Sequence, residues 1–514
     1  MTSPASASAS ASGAATTATE AGATAGAGAA PGSGPGSGEL PARAAARATE
    51  AILADTLEGR YRGVVVDSPP GAGKSTLVVR AARELAAAGH PLMVIAQTNA
   101  QVDDLVDRLA TADPELPVGR LHSSEPRPYD PVLDRHPAVR TSAKAADLAG
   151  LDVVVSTAAK WAWVKPEEPW RHAIVDEAYQ MRSDALLAVA GLFERALFVG
   201  DPGQLDPFSQ VGADQWAGQV HDPSASAVST LLGHNPDLPQ HRLPVSWRLP
   251  ASAAPLVSDA FYPYTPFRSG TGPGDRRLAF TVPPDGSPLD EVLDEAAREG
   301  WGLLELPAAR TPRTDPEAVA AVARLVHRML KRGGVAHSER AATGASAESG
   351  VPLTAARIAV GTAHRDQAAA VRAALAGLAG PSGGDSGGRD SGSDRGDGRG
   401  AGSAAWVTVD TANRLQGREF DVTVILHPLS GRPDATEFHL ETGRLCVLAS
   451  RHRHACVVVC RAGVAELLDD HPATEPVQLG AVSRAPDGWE AHQAVLSHLA
   501  RHTVPLDRAL PARR

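Results

Sequence analysis

Lysine, cysteine and aromatic side chains are all scarce in this chain of 514 residues. Its formal net charge is −10, so no overall positive field favours nucleic acid, although a local groove of Lys, Arg and backbone N–H groups would not show in that total. No uncharged apolar run approaches the ~18 residues of a membrane span, and no basic segment followed by an apolar one opens the chain. We therefore expect a cytoplasmic protein with no membrane partner.

The three cysteines, Cys446, Cys456 and Cys460, lie in one short region. No partner His/Cys pair has the spacing of a zinc site, and Cys456 and Cys460 flank three valines that read as a buried strand. The pattern favours core packing over a metal or redox role.

Two segments of low complexity divide the chain. Residues 1–38 are rich in Ala, Ser and Gly with almost no charge, which predicts disorder. Residues 380–403 mix Gly, Ser, Asp and Arg, and their matched charges favour a flexible linker over a tail that binds nucleic acid.

Between these segments, apolar strands alternate with amphipathic helices, the pattern of α/β units with parallel sheets. Strands are predicted at 63–67, 92–96, 152–156, 173–175, 197–199, 358–361, 407–409, 422–426 and 456–459, and helices at 74–88, 366–378 and 441–450. We predict a first domain at 39–238 with a small Pro-rich insertion at about 112–148, and a second domain at 239–470. A C-terminal extension, 471–514, contains an amphipathic stretch, 489–502, expected to pack as a helix on the second domain.

A phosphate loop, Ser68-Pro-Pro-Gly-Ala-Gly-Lys-Ser-Thr76, directly follows the first predicted strand and opens a helix, which is the context that supports such a motif. Glycines at this turn let backbone N–H groups approach phosphates, and the helix N-terminus adds partial positive charge. Lys74 is placed for the β- and γ-phosphates and Ser75 for Mg²⁺. The predicted nucleotide contacts are Pro70, Gly71, Ala72, Gly73, Lys74, Ser75 and Thr76.

Adjacent carboxylates follow a later apolar strand, in Asp176-Glu177-Ala178-Tyr179-Gln180. Asp176 can hold Mg²⁺, directly or through water, while Glu177 orients the attacking water. Gln204 follows the next strand and can hydrogen-bond a γ-phosphate. Together with the phosphate loop, these residues predict an enzyme that hydrolyses nucleoside triphosphates.

Polar residues end two further strands, in Gln97-Thr98-Asn99 and Ser156-Thr157. Such residues usually cap the helix that follows. At the carboxyl edge of an ATPase sheet they could also contact a phosphodiester backbone. Both readings stay open.

Four further segments follow in order along the chain. They are Ser246-Trp247-Arg248-Leu249-Pro250, His364-Arg365-Asp366-Gln367, Val409-Asp410 with Gln416-Gly417-Arg418-Glu419, and Val447-Leu-Ala-Ser-Arg451. Two earlier motifs belong to the same series: Asp176–Gln180, and Gly200-Asp201 with Gln204-Leu205. In their order from about residue 64 to 460, these motifs resemble those of the superfamily-one helicases, most closely the Upf-like branch.

That resemblance implies two tandem RecA-like domains, with ATP and Mg²⁺ in the cleft between them and single-stranded DNA or RNA across both. Arg248 and Arg451 would act as arginine fingers on the γ-phosphate. Trp247 would either stack on the adenine or pack in the core, and Gly417 and Glu419 would contact the nucleotide, Glu419 accepting from the ribose hydroxyls. The candidates for contact with nucleic acid are Thr98, Asn99, Ser156, Thr157 and Thr411.

The resulting hypothesis is an ATP-dependent helicase or translocase, with 5′-to-3′ direction implied by the resemblance. We expect a monomer, and the lack of extra domains suggests a protein partner for processive unwinding. Residues 41–57 lack the Gln with which relatives read adenine, which leaves strict selection of ATP open. The alternative is an ATPase switch of the same fold that clamps nucleic acid or protein without unwinding.

Overall fold

The α/β class predicted from the sequence is confirmed by the computed structural model, which describes residues 39–125, 129–205, 207, 216, 222–223, 225–338, 350–379, 406–471 and 486–506. Two large parallel sheets follow one another along the chain, and together they form the two tandem RecA-like units expected. The predicted disordered segment 1–38 and linker 380–403 lie outside the described residues. Among the described helices, none combines the length and apolar character that crossing a membrane requires.

The first sheet has eight parallel strands. They are β1 (Gly63–Asp67), β2 (Leu92–Ala96), β3 (Val118–Leu121), β4 (Val139–Ser142), β5 (Val153–Thr157), β6 (Trp170–Asp176), β7 (Phe193–Gly200) and β8 (Gln240–Arg242). Their order is β4-β3-β5-β2-β6-β7-β1-β8. The central strands β1 and β2 are buried along their whole length, as expected for Val-rich runs covered on both faces.

In this first unit one helix precedes β1 and the other helices come after strands. They are α1 (Pro41–Glu58), α2 (Lys74–Ala87), α3 (Asn99–Ala112), α4 (Ala158–Trp161), α5 (Ser183–Val189) and α6 (Ala227–His234). Helix α2 buries Leu77, Val78, Ala81, Ala82 and Leu85, the apolar face that its spacing predicts.

The segment 112–148, interpreted from the sequence as an insertion, adds β3 and β4 to one edge of the first sheet. Arg120 in β3 is completely buried, and its guanidinium donates to Asp103 at 2.7 Å and to the carbonyl oxygen of Leu121 at 2.6 Å. At the opposite edge, β8 pairs with β1, so the sheet continues past residue 238, where the sequence placed the boundary between domains.

The second sheet has six parallel strands. The strands after β8 are β9 (Val245–Ser246), β10 (Arg268–Ser269), β11 (Arg276–Phe280), β12 (Trp301–Leu306), β13 (Gly334–Ser338), β14 (Val351–Leu353), β15 (Ile358–Thr362), β16 (Thr408–Thr411), β17 (Phe420–Leu426), β18 (His452–Arg461) and β19 (Thr503–Pro505). The large sheet has the order β16-β15-β17-β18-β12-β19. Strands β11, β13 and β14 form a small antiparallel sheet, and β9 pairs with β10.

The helices of the second unit cover this sheet. They are α7 (Ala254–Phe261), α8 (Pro288–Glu299), α9 (Pro316–Arg332), α10 (Arg365–Ala379), α11 (Ala412–Leu415), α12 (Glu437–Leu440), α13 (Thr442–Ala449), α14 (Val464–Asp470) and α15 (Gly488–Leu499). The predicted C-terminal helix is confirmed as α15, which packs against α7 and α13, and β19 behind it adds an edge strand.

The three cysteines are free thiols buried in the core of the second unit, as predicted. Burial raises the pKa of each thiol to about 12, so each stays protonated and unreactive near neutral pH.

Candidate active site

The phosphate loop, residues 68–76, connects the end of β1 to the start of α2. Gly71 and Gly73 have φ angles of +72° and +91°, a region that side chains with a Cβ rarely adopt. Space is restricted at Gly71 as well, because a Cβ there would overlap the Cβ of Arg248. The loop therefore presents backbone N–H groups at a helix N-terminus, a suitable site for an anion.

Lys74 at the start of α2 forms an ion pair with Glu177, which follows the end of β6. Burial alone would lower the pKa of the Lys74 ammonium, but Glu177 and Asp176 raise it, so Lys74 carries its charge. Glu177 is the one non-glycine residue with positive φ in the described ranges, at +53°. Its carboxylate also accepts a hydrogen bond from Gln180 at 2.9 Å, which fixes its orientation.

Asp176, one of the two predicted Mg²⁺ ligands, has a carboxylate oxygen without a partner among the described residues. Asp176 Oδ1 and Ser68 Oγ are buried and have no hydrogen-bond partner among the described residues. Burial raises the pKa of Asp176 to about 6, with the charge of Lys74 opposing that shift. No described cluster of three or more His, Cys, Asp or Glu residues could hold a metal by itself. The residues thus fit Mg²⁺, which typically binds one or two carboxylates together with substrate phosphates.

Gln204 is linked to both units. Its side-chain amide donates to Asp201, and its carbonyl oxygen accepts from Gln416 Nε2 at 2.9 Å. Asp201 in turn accepts from the hydroxyl of Tyr262 at 2.7 Å. Burial raises the pKa of Asp201 to about 6, with Lys74 and the Tyr262 hydroxyl opposing that shift. The residues after β7 are thereby connected to α7 and α11 of the second unit.

Arg248 lies directly over the phosphate loop. The N–H of Trp247 donates to the carbonyl oxygen of Gly71 at 2.8 Å, and the hydroxyl of Ser246 donates to that of Pro70 at 2.6 Å. The guanidinium of Arg248 pairs with Glu419 at 3.1 Å. Burial alone would raise the pKa of Glu419, but Arg248 and Arg453 lower it. The carboxylate of Glu419 thus pairs with two arginines in this structure, whereas the resemblance implied that it accepts from the ribose hydroxyls.

Trp247 lines a cavity of about 210 Å³ beside the phosphate loop. The cavity is also lined by Ala45 and Thr49 of α1 and by Gly73 and Thr76. Trp247 is 40% exposed, which does not fit packing in the core and leaves stacking on a base as the prediction. The Thr49 hydroxyl donates to the carbonyl oxygen of Ala45 at 2.9 Å, so α1 presents little to distinguish one base from another.

Arg451 is completely buried within the second unit. Its guanidinium donates to the carbonyl oxygen of Val447 at 3.1 Å and to Ser450 Oγ at 2.8 Å. Burial, and then the charge of Arg248, lower the pKa of Arg451 to about 10. Arg248 therefore contacts the phosphate loop in this structure, whereas the donors of Arg451 are used inside the second unit.

The predicted nucleic-acid contacts mostly have other partners. Thr98 forms a capping box with Gln101, and Thr157 caps α4 by accepting from the N–H of Lys160. Asn99 accepts from Arg120 at 3.1 Å. Thr98 and Thr157 therefore support the capping interpretation, whereas Asn99 is held by Arg120 of β3.

Two of these candidates are buried. The hydroxyl of Ser156 donates to the carbonyl oxygen of Leu121 at 2.6 Å, so its prediction as a side-chain contact is wrong. Thr411 is 6% exposed at the carboxyl end of β16, and Gly417, with φ of +76°, lies in the turn before β17. Among the described residues, no hydrogen bond or ion pair joins Thr411 or Gly417 to the phosphate loop.

Arg276 is a positioning residue that the sequence did not indicate. Its guanidinium donates to the carbonyl oxygens of Trp247 at 2.7 Å, Arg248 at 3.0 Å and Arg453 at 3.3 Å. Burial and the charge of Arg453 lower its pKa. The side chain thus fixes the backbone that carries Trp247 and Arg248. In the sequence it is only the first of two adjacent arginines at the start of β11, which is why the pattern missed it.

We expect Arg276→Met to lower kcat/KM for ATP by about 10- to 100-fold, because each hydrogen bond from a charged group is worth about 1.5–3 kcal/mol. Steady-state kinetics with varied ATP measures this. Arg276→Lys should recover part of the loss, whereas Arg298→Met, on the exposed face of α8, should have no effect. A loss that Lys does not relieve, accompanied by a lower melting temperature, would identify a purely structural role.

No protein-family model and no curated protein matches the chain. Solved structures are similar at a distant level. They include the PRRSV helicase, with 15% identity over 80% of this chain and a TM-score of 0.36. They also include arterivirus nonstructural protein 10 (helicase), with 14% identity over 80% and a TM-score of 0.37. The same arterivirus protein in complex with DNA has 14% identity over 82% and a TM-score of 0.36. The chain spans 54% to 65% of the length of those chains, and at such TM-scores nothing about its function rests on them.

Proposed function

We propose that this protein is an ATP-dependent translocase or helicase acting on single-stranded nucleic acid. The observation that carries the proposal is that three residues lie together around the phosphate loop, Arg248 contacting it through its backbone and Cβ. Lys74 comes from the phosphate loop, Glu177 from the end of β6, and Arg248 from the segment after the first sheet. A phosphate-binding loop, a carboxylate for the attacking water and an arginine for the leaving charge are the parts that triphosphate hydrolysis requires.

In this mechanism each charged group leaves its present partner when ATP binds. Lys74 exchanges Glu177 for the β- and γ-phosphates, which frees the carboxylate to orient water and accept its proton. Arg248 exchanges Glu419 for the γ-phosphate. Mg²⁺ bound near Ser75 and Asp176 would supply neutralisation of phosphate charge.

Coupling to movement follows from the contacts of Gln204. Loss of the γ-phosphate would be relayed through Gln204 to Gln416, and through Asp201 to Tyr262, both in the second unit. A single strand lying across both units would then advance as they close and reopen. The 5′-to-3′ direction is the one that the resemblance implies, and the monomeric state and a protein partner for processive unwinding stay as expectations from the sequence.

The alternative, an ATPase switch that clamps without unwinding, is favoured by one observation. Thr98, Asn99 and Thr157 use their side chains inside the first unit, and Ser156 is buried. The side chains predicted to contact nucleic acid at this edge therefore already have partners within the first unit.

Steady-state ATP hydrolysis with and without single-stranded DNA and single-stranded RNA, at low and moderate salt, tests the proposal. We expect strong stimulation by one of the two polymers, and we expect salt to weaken it because phosphate contacts release counterions. Duplexes with tails of either polarity then report unwinding and its direction. Hydrolysis that is indifferent to both polymers would contradict the motor and favour the switch.

A further inference from the structure

Trp163 is an almost fully exposed indole, with 85% of its surface accessible. It lies two residues after α4, the short helix that follows β5, and so belongs to the carboxyl edge of the first sheet. At that edge β5 is next to β2, with Thr157 opposite Ala96, one residue before the Gln97-Thr98-Asn99 segment. Trp163 therefore lies on the edge that the proposed function assigns to the single strand.

The packing of this region is complete without Trp163. Trp161, two residues earlier, is fully buried, donates from Nε1 to the carbonyl oxygen of Val94 at 3.1 Å, and makes an edge contact with Trp170. The next residue, Val164, packs against the same core cluster. Trp163 thus faces solvent between two residues that anchor the segment. A lone exposed apolar side chain is ordinary in itself, but this one lies close to several basic residues.

The surroundings of Trp163 contain most of the lysine in the chain. Of the five lysines in the sequence, Lys144, Lys160 and Lys165 lie in the segments that follow β4 and β5. The ammonium of Lys160 donates to the carbonyl oxygen of Ala143 at 2.9 Å, which joins α4 to the segment of Lys144. Lys144 and Lys165 are exposed. Flexible lysines beside an exposed indole provide phosphate contacts and a surface for stacking, the combination with which proteins hold single strands without reading their sequence.

The charge here is not large overall, because exposed Glu167 and Glu168 follow Lys165. We therefore do not expect charge to dominate the binding of a single strand at this edge. Stacking of a base on the indole depends little on salt, whereas phosphate contacts depend on it strongly.

We propose that Trp163 stacks on a nucleobase of the single strand as it crosses the carboxyl edge of the first sheet, with the neighbouring lysines near its phosphates. This inference rests on the proposed function and deepens it, since it supplies a contact that Thr98, Ser156 and Thr157 do not provide. It also explains how an acidic chain could hold a strand at one local site.

The experiment measures binding of the full chain to fluorescently labelled oligo-dT and oligo-U of about 20 nucleotides, a length that exceeds one binding site. An abasic oligonucleotide of the same length carries the phosphates without bases. We expect Trp163→Ala to weaken binding of the better polymer by about 5- to 150-fold. The loss should be similar at low and moderate salt, should be absent with the abasic strand, and should be largely recovered in Trp163→Phe.

Trp406 provides the matched control, because it is 66% exposed but precedes the amino end of β16, at the opposite edge of a sheet. Trp406→Ala should bind as the unsubstituted chain does, and the ATP hydrolysis of Trp163→Ala without nucleic acid should be unchanged. If the unsubstituted chain binds oligo-dT or oligo-U and Trp163→Ala binds equally well, the stacking inference is overturned while the proposed function stands. If the unsubstituted chain binds neither, both are overturned.

Discussion

Glu177→Gln is expected to lower the rate of ATP hydrolysis by about 10²- to 10⁴-fold while ATP still binds, because a positioned general base contributes an effect of that size. The amide keeps the shape of the carboxylate and can still accept a hydrogen bond from Gln180, but it cannot take the proton of the attacking water. It also removes the ion pair to Lys74, which leaves that ammonium free for phosphate. Single-turnover hydrolysis and binding of a fluorescent ATP analogue measure the two effects separately.

The control for this substitution is Glu84→Gln, which changes an exposed carboxylate of α2 paired with Arg80. It makes the same change of charge on the same helix as Lys74, and we expect normal turnover. Tight ATP binding together with normal turnover in Glu177→Gln would refute the role assigned to this residue.

The strands that carry the site could be predicted because each is an uninterrupted apolar run followed by polar residues. Strands β1 and β2 have the predicted bounds, and α2 begins at Lys74 as predicted, because Gly73 can adopt the backbone that starts it. The carboxyl ends of parallel strands lie at one edge of the sheet, and only β7 separates β1 from β6, so Lys74 and Glu177 come close together.

The edges of the first sheet could not be predicted in the same way. Strand β4 is only partly buried, and β8 consists of Gln240, His241 and Arg242, none of them typical of a strand. These strands form because neighbouring backbones offer hydrogen bonds, a property of the assembled sheet. Likewise, Arg120 can occupy β3 only because Asp103 of α3 neutralises it.

The contacts that position the site were also beyond local patterns. Tyr262 and Asp201, which form a hydrogen bond, are 61 residues apart in the chain. Arg276 donates to three backbone carbonyl oxygens, and because every residue has such an oxygen, no residue type marks these contacts in the sequence. Ser156 illustrates the opposite error. A polar residue at a strand end looked available to a ligand, but the neighbouring strand β3 uses its hydroxyl. The direction of a polar side chain at a strand end depends on how the neighbouring strands pack. The spacing of residues along the sequence does not reveal that packing.

Arg248→Ala is expected to reduce the turnover of ATP by about 10³- to 10⁵-fold, the range associated with loss of an arginine finger. Of the two predicted fingers, Arg248 is the cleaner test, because Arg451 is fully buried and its removal would leave polar groups of the second unit without partners. Arg248 is held over Gly71 by its backbone neighbours, so truncating its side chain leaves those hydrogen bonds in place. Pre-steady-state hydrolysis measures the chemical step.

Arg248→Lys should recover only a small part of the rate, since an ammonium keeps the charge but lacks the planar fork that contacts two phosphate oxygens. Arg453→Ala is the matched control, because Arg453 binds the other oxygen of the same Glu419 carboxylate and is 42% exposed. Its loss should leave hydrolysis within a few-fold of normal, the scale of an exposed ion pair. Equal losses in Arg248→Ala and Arg453→Ala would mean that both act by holding Glu419, and the assignment of Arg248 to the γ-phosphate would be wrong.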